Sequence, residues 1–144
     1  MTNEDLIKIA KNARKNAISS NTGYSVGAAL LTKSGSVYMG ANIEEYSIIG
    51  LSNCAERVAI QNALSYGERG FQAIAIVGGK ATNEDVDDTL VPCGVCLQYI
   101  LDMCKDVDII TYVSGKLICK KVTDFLPYGF ELDEQNLSLI HIWR

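Results

Sequence analysis

The residues with chemistry to offer sit in two short segments, Cys54 to Arg57 ("CAER") and Pro92 to Cys96 ("PCGVC"). Cys93 and Cys96 are three apart, so on one helical turn their thiols face the same way and make a clamp for one metal ion. Cys54 can bring a third ligand from the start of another helix. Three protein ligands leave one tetrahedral position of a zinc ion for water, which is the pattern of a catalytic rather than a closed structural site. Thiolate-rich tetrahedral ligation selects zinc. Glu56, two residues from Cys54, is placed to accept the proton of that water and deliver it to a substrate nitrogen.

A fourth protein ligand is hard to find. The single histidine, His141, is remote in sequence. Cys104 stands about 12 Å beyond Cys96 along a helix axis, and position alone leaves Cys119 open. Three thiolates carry more negative charge than zinc cancels, which weakens the ion as a Lewis acid. Two helix N-termini aimed at the sulfurs, each carrying roughly half a positive charge, offset this. Arg57 is expected to add hydrogen bonds to the thiolates. Competing readings exist for each segment alone: "PCGVC" suits a redox dithiol or half of a structural zinc site. A redox dithiol leaves Glu56 without a purpose, so the pair of segments favours catalytic zinc. Cys104 and Cys119, in apolar surroundings, read as buried structural thiols.

The elements that must position these residues follow from periodicity and punctuation. Residues 3–18 carry Leu6, Ile7, Ile9, Ala10, Ala13 and Ala17 at helical spacing, with Thr2 or Asn3 as N-cap. "YSVGAALLT" and "SVYMGANI" flank "KSG", a hairpin signal. Residues from Asn53 to about Tyr66 read as a helix ended by Gly67 or Gly70. "FQAIAIVGG" suits a buried strand, "KATNEDVDD" an acidic loop, and "PCGVCLQYILDMC" a helix opened by Pro92. "VDIITYVS" and "KLICKKV" are two more strands, and "VTDFLPYGF" a short helix stopped by Pro127. The order predicts an α/β three-layer sandwich, with a mixed sheet of about five strands and helices on both faces. Ligands in such folds collect at the carboxyl ends of strands, near helix N-termini, where both cysteine segments fall.

The 144 residues suggest one domain, residues 1–135, followed by a tail at 136–144. The formal net charge is −4, the opposite of a phosphate-binding surface, so no nucleic-acid partner is expected. No apolar run reaches the ~20 residues that cross a bilayer, and the N-terminus is not a secretory signal. A cytoplasmic location is therefore expected, and five cysteines, an odd number, in such a chain argue against a disulfide framework. The apolar tail "NLSLIHIWR" carries no assigned role, and none is placed on His141 or Trp143.

The paired motifs match the zinc-deaminase pattern, His-x-Glu with Pro-Cys-x-x-Cys, with Cys54 in the histidine position. On "VGAALLT", "GANIE", "NCAERVAI", "FQAIAIV", "PCGVCLQ" and "FLPYGF", spread over most of the chain, the sequence resembles the cytidine deaminase family in its small, homotetrameric, three-cysteine form. The resemblance implies hydrolysis of cytidine and deoxycytidine to uridine and deoxyuridine with release of ammonia, in pyrimidine salvage, with one zinc per subunit. It implies Cys54, Cys93 and Cys96 as ligands and Glu56 as proton shuttle to N3 and the departing amino group. Asn42 and Glu44 match the pair that binds the ribose. Tyr24 falls where a phenylalanine usually meets the nucleoside, and Ala55 joins the substrate-binding set.

The sequence also departs from the family. Glu45 replaces a usual asparagine, the connection from Glu44 to Cys54 is one residue longer, and Leu97 stands where an arginine is usual. The loss at Leu97 places more weight on Arg57. An alternative is a deaminase of a modified cytosine nucleoside such as blasticidin S. A further one is a non-catalytic zinc or redox module.

Overall fold

The computed structural model describes residues 1–132; the tail at 136–144, with His141 and Trp143, lies outside them. Helix α1 (Asn3–Arg14) starts in a capping box. The Asp5 amide donates to Thr2 Oγ1 at 3.1 Å, and the Thr2 amide donates to the Asp5 carboxylate at 3.0 Å. Strands β1 (Tyr24–Thr32) and β2 (Val37–Ala41) form the hairpin. A 3₁₀ turn (Ile49–Leu51) precedes α2 (Ala55–Ser65). Then come β3 (Phe71–Lys80), α3 (Gly94–Cys104), β4 (Asp108–Val113), β5 (Lys116–Lys121) and the short α4 (Val122–Phe125).

The five strands make one mixed sheet in the order β2-β1-β3-β4-β5. Only β3 and β4 run parallel, joined by the crossover through α3; the other neighbours are antiparallel. The central strands are buried on both faces, which explains their unbroken apolar runs. Ala28, Leu30, Ile74, Ile76 and Ile109 point to one side, against α2 and α3. Ala29, Leu31, Ala73, Ala75, Val77 and Ile110 point to the other, against Leu6, Ile7 and Ala10 of α1. The three-layer α/β sandwich with five strands is therefore present.

Several sequence expectations shift in detail. Helix α2 begins at Ala55 rather than Asn53, because Cys54 is its cap. It ends in a Schellman motif: Gly67 at φ +91° lets the Glu68 amide reach the Ala63 carbonyl. Helix α3 begins at Gly94, not at Pro92, because Cys93 is its cap. Cys104 is buried as expected, and burial pushes its thiol up to about 12. Cys119 is exposed instead, since β5 is an edge strand that turns lysines and this thiol to solvent.

Two glycines set how closely the helices approach the sheet. A Cβ on Gly27 would overlap backbone atoms of Ala10 and Arg14 in α1, and one on Gly40 would overlap the Ala55 carbonyl and the Ala59 amide of α2. Helix backbone cannot step aside as a flexible side chain can. Gly40→Ala is therefore expected to destabilise the fold by about 1–3 kcal/mol, the usual cost of overpacking, read as a lower urea midpoint at unchanged m-value. An unchanged midpoint would show that α2 does not rest on the sheet at this point.

Candidate metal centre and pocket

Cys54 and Cys93 hold equivalent positions. Each is an N-cap with extended backbone (φ −78°, ψ 154° and φ −67°, ψ 163°), at the end of a helix whose first amides have no internal partner, but only the Cys93 side chain caps its own helix. The Cys93 sulfur accepts from the Cys96 amide at 3.5 Å. Cys96 lies one turn into α3 and is buried. The three sulfurs of Cys54, Cys93 and Cys96 all lie within 4.8 Å of one another. Tetrahedral zinc with bonds near 2.3 Å puts its sulfurs roughly 3.8 Å apart, so small side-chain movements close the three around one ion. Among the described residues no fourth thiol or histidine joins them. Cys104 belongs to the core and Cys119 to the outer strand. The donor set fits zinc with one position left open.

The charge problem of three thiolates is met locally. Arg57 Nη2 donates to the Cys54 sulfur at 3.4 Å. Cys54 is held well below the ordinary thiol range, first by a hydrogen bond from the Cys96 thiol and then, against the opposing burial, by the Arg57 guanidinium. Cys96 is pushed the other way by the same bond and by its burial. Leu97, where the resemblance leads one to expect an arginine, is buried in the core against α2. It cannot reach the sulfurs with a charge, so the compensation rests on Arg57 and the two helix starts.

Glu56 is 5% exposed. Burial raises its carboxyl above the usual range; a hydrogen bond from its own backbone amide opposes this, and the Cys54 charge adds to the rise. A carboxyl so placed exchanges a proton more readily near neutral pH than a solvated one does.

Beside the sulfurs lies a cavity of about 430 Å³. It opens at the carboxyl ends of β2 and β3, between the two helix starts. Cys54, Ala55, Glu56, Arg57 and Cys93 line one side, and Tyr24, Val26, Asn42 and Glu44 the other. The structure thus brings every residue expected at the site from sequence to one place, with Cys96 buried behind. Ala55 is the first helical residue, so its amide is one of the donors a helix leaves without an internal partner.

The polar residues opposite are held firmly. Asn42 Oδ1 accepts from the Val26 amide at 2.8 Å and its Nδ2 donates to the Tyr24 carbonyl at 3.0 Å. The Glu44 carboxylate accepts from the Asn21 and Thr22 amides at 2.9 and 3.0 Å and from the Thr22 hydroxyl at 2.6 Å. Partial burial pushes Glu44 up, but these donors outweigh it and keep the carboxylate below its usual range. Tyr24 rests its ring over Gly78, where a Cβ would lie 2.8 Å from it. Its hydroxyl donates to Asp87 at 2.8 Å. Burial, then this bond, raises the phenol to about 12.

Sequence reasoning missed two features. The acidic loop is not free: Arg14, buried at the end of α1, donates to the carbonyls of Lys80, Asn83 and Glu84, and Tyr24 takes Asp87. Asn53, one residue before Cys54, lines the cavity with a buried Oδ1 that has no partner among the described residues. A polar residue beside a metal-ligand cap was the only local signal for it.

Residues 1–112 match the family described as the cytidine and deoxycytidylate deaminase zinc-binding region. A cytidine deaminase of Halalkalibacterium halodurans is 40% identical over 94% of this chain and 99% of its own length. A blasticidin-S deaminase of Bacillus cereus is 33% identical over 73% of this chain and 76% of its own. The crystal structure of a Burkholderia pseudomallei cytidine deaminase superimposes with a TM-score of 0.79 at 37% identity, covering 90% of this chain and all of the other. With its three sulfurs gathered at two helix starts beside a buried glutamate, the chain belongs to the cytidine and deoxycytidylate deaminase zinc-binding family.

Proposed function

We propose that the chain hydrolyses cytidine and deoxycytidine to uridine and deoxyuridine, releasing ammonia. One observation carries this reading: three cysteine sulfurs within 4.8 Å of one another flank a cavity lined by the buried carboxyl of Glu56. Bound by Cys54, Cys93 and Cys96, zinc supplies Lewis-acid activation of water. Glu56 would take one proton of the water to N3 of the pyrimidine, and then the second, from the new C4 hydroxyl, to the amino group, which leaves as ammonia. The Ala55 amide is a donor for the pyrimidine carbonyl. Glu44, kept ionised by its own donors, accepts from ribose hydroxyls, and Asn42 has lone-pair and N–H capacity left for the same sugar. The Tyr24 ring packs against the nucleoside. Arg57 and the helix starts balance the thiolates.

The setting follows from the same chemistry. Among the described residues no helix is long and apolar enough to cross a membrane. A site built from free thiols suits the reducing cytoplasm, where nucleoside deamination serves pyrimidine salvage. A homotetramer is supported by Tyr46, Ile48, Ile49 and Leu51, which are 60–72% exposed in one short segment leading to the cavity wall at Ser52 and Asn53. Apolar surface gathered in this way marks an interface.

The substrate reading is checked by following ultraviolet absorbance on cytidine, deoxycytidine, cytosine and blasticidin S, with zinc quantified. Turnover is expected on the first two. Glu56→Gln should keep its zinc while losing roughly 10²–10⁴-fold in kcat, the share of a positioned acid–base group. Faster turnover of blasticidin S would transfer the substrate assignment to it, and a fully active Glu56→Gln would remove the proton shuttle. Sedimentation should give a tetramer that Leu51→Asp dissociates; a fully active monomer would contradict the assembly.

A further inference from the structure

The two helices that carry the metal ligands pack on each other largely through apolar side chains, with Ala59, Ile60 and Ala63 of α2 in the same cluster as Leu97 and Ile100 of α3. Apolar contact is non-directional, so it holds the helices together without fixing their register. A zinc site tolerates only about 0.2 Å of error in its bonds. Something directional must set where the Cys54 sulfur stands relative to Cys93 and Cys96.

A chain of hydrogen bonds runs between the helices at this level. Asn53 Nδ2 donates to Gln61 Oε1 at 2.7 Å, and Gln61 Nε2 donates to the hydroxyl of Tyr99 at 3.3 Å. Asn53 and Gln61 flank the opening turns of α2, and Tyr99 is on α3. The Asn53 backbone reaches a third part of the site. Its amide and carbonyl exchange 2.9 Å bonds with Ile43, the residue between Asn42 and Glu44. One residue thus connects the ribose-facing segment, the first ligand and, through two side chains, the helix of the other two ligands.

We propose that Asn53, Gln61 and Tyr99 form a positioning brace that sets the distance between the Cys54 sulfur and the Cys93–Cys96 pair, and so governs how long the centre keeps its zinc. The proposal rests on the zinc reading of the three cysteines. Gln61 is exposed on the surface of α2, so its loss removes the brace without opening the core. A glutamate in its place would accept from Asn53 Nδ2 and also from the Tyr99 hydroxyl, which can reverse its role and donate.

The test is zinc transfer from the loaded full-length chain to an excess of a chromophoric chelator. Gln61→Ala and Tyr99→Phe are each expected to release zinc about 2- to 10-fold faster than wild type, the factor one net hydrogen bond carries. Combining them should add little to Gln61→Ala, since both cut one chain. Gln61→Glu should restore slow release, and the melting temperature of the zinc-free protein should be the same for all. Wild-type release from Gln61→Ala, or fast release from Gln61→Glu, would overturn the brace. So would a lowered melting temperature with unchanged release, which marks a general strut. A wild-type chain that takes up no zinc would overturn the metal reading as well, and is seen before any variant is compared.

Discussion

The structure depends on bringing two helix N-termini to one point. Each end alone offers free amides and a partial positive charge, and each is capped by a cysteine instead of a common capping residue. Cys54 and Cys93 stand at the two caps, the Cys93 sulfur accepting from its own helix, and Cys96 follows in the first turn of α3, so the three sulfurs lie within 4.8 Å of one another. Three thiolates in one place repel. What makes the cluster tolerable is the pair of helix ends, the Arg57 guanidinium at 3.4 Å from Cys54, and the cation that the set is shaped to hold. The rest of the fold serves that convergence. The β3-α3-β4 crossover fixes one helix end, Gly40 lets α2 settle onto β2, and the cavity opens where both meet the sheet.

The same convergence explains why Glu56 is buried and raised rather than solvated. A carboxyl in the first turn of α2 would ordinarily be favoured in its charged form by the helix end. Burial and the neighbouring thiolate work against that. Across the cavity Glu44 has the opposite environment, three donors that keep it ionised. Two carboxyls in one pocket are thereby shifted in opposite directions, Glu56 upward by burial and Glu44 downward by its donors.

Much of this was legible in the sequence because the signals are local. The spacing of Cys93 and Cys96, the offset of Glu56 from Cys54 and the helix punctuation by Gly67 each act over a few residues. The order of elements and the buried central strands follow from apolar runs and turn residues. The start of α3 was misplaced by two residues because proline is a good first helical residue, while the cysteine after it took the cap. The exposure of Cys119 was missed because burial depends on which strand ends at the sheet edge, a property of the whole topology. Contacts made across the chain left no local trace: Arg14 holding the acidic loop, Tyr24 reaching Asp87 across 63 residues, and the Asn53–Gln61–Tyr99 chain.

The central claim is that Cys54, Cys93 and Cys96 hold one zinc ion and leave its fourth position for water. Zinc K-edge absorption on the metal-loaded protein addresses it without reference to turnover. The account predicts three sulfur neighbours at about 2.3 Å and one lighter neighbour at about 2.0 Å. Replacing Glu56 should leave the sulfur count unchanged. Four sulfur neighbours would mean a closed structural site, and would contradict the account.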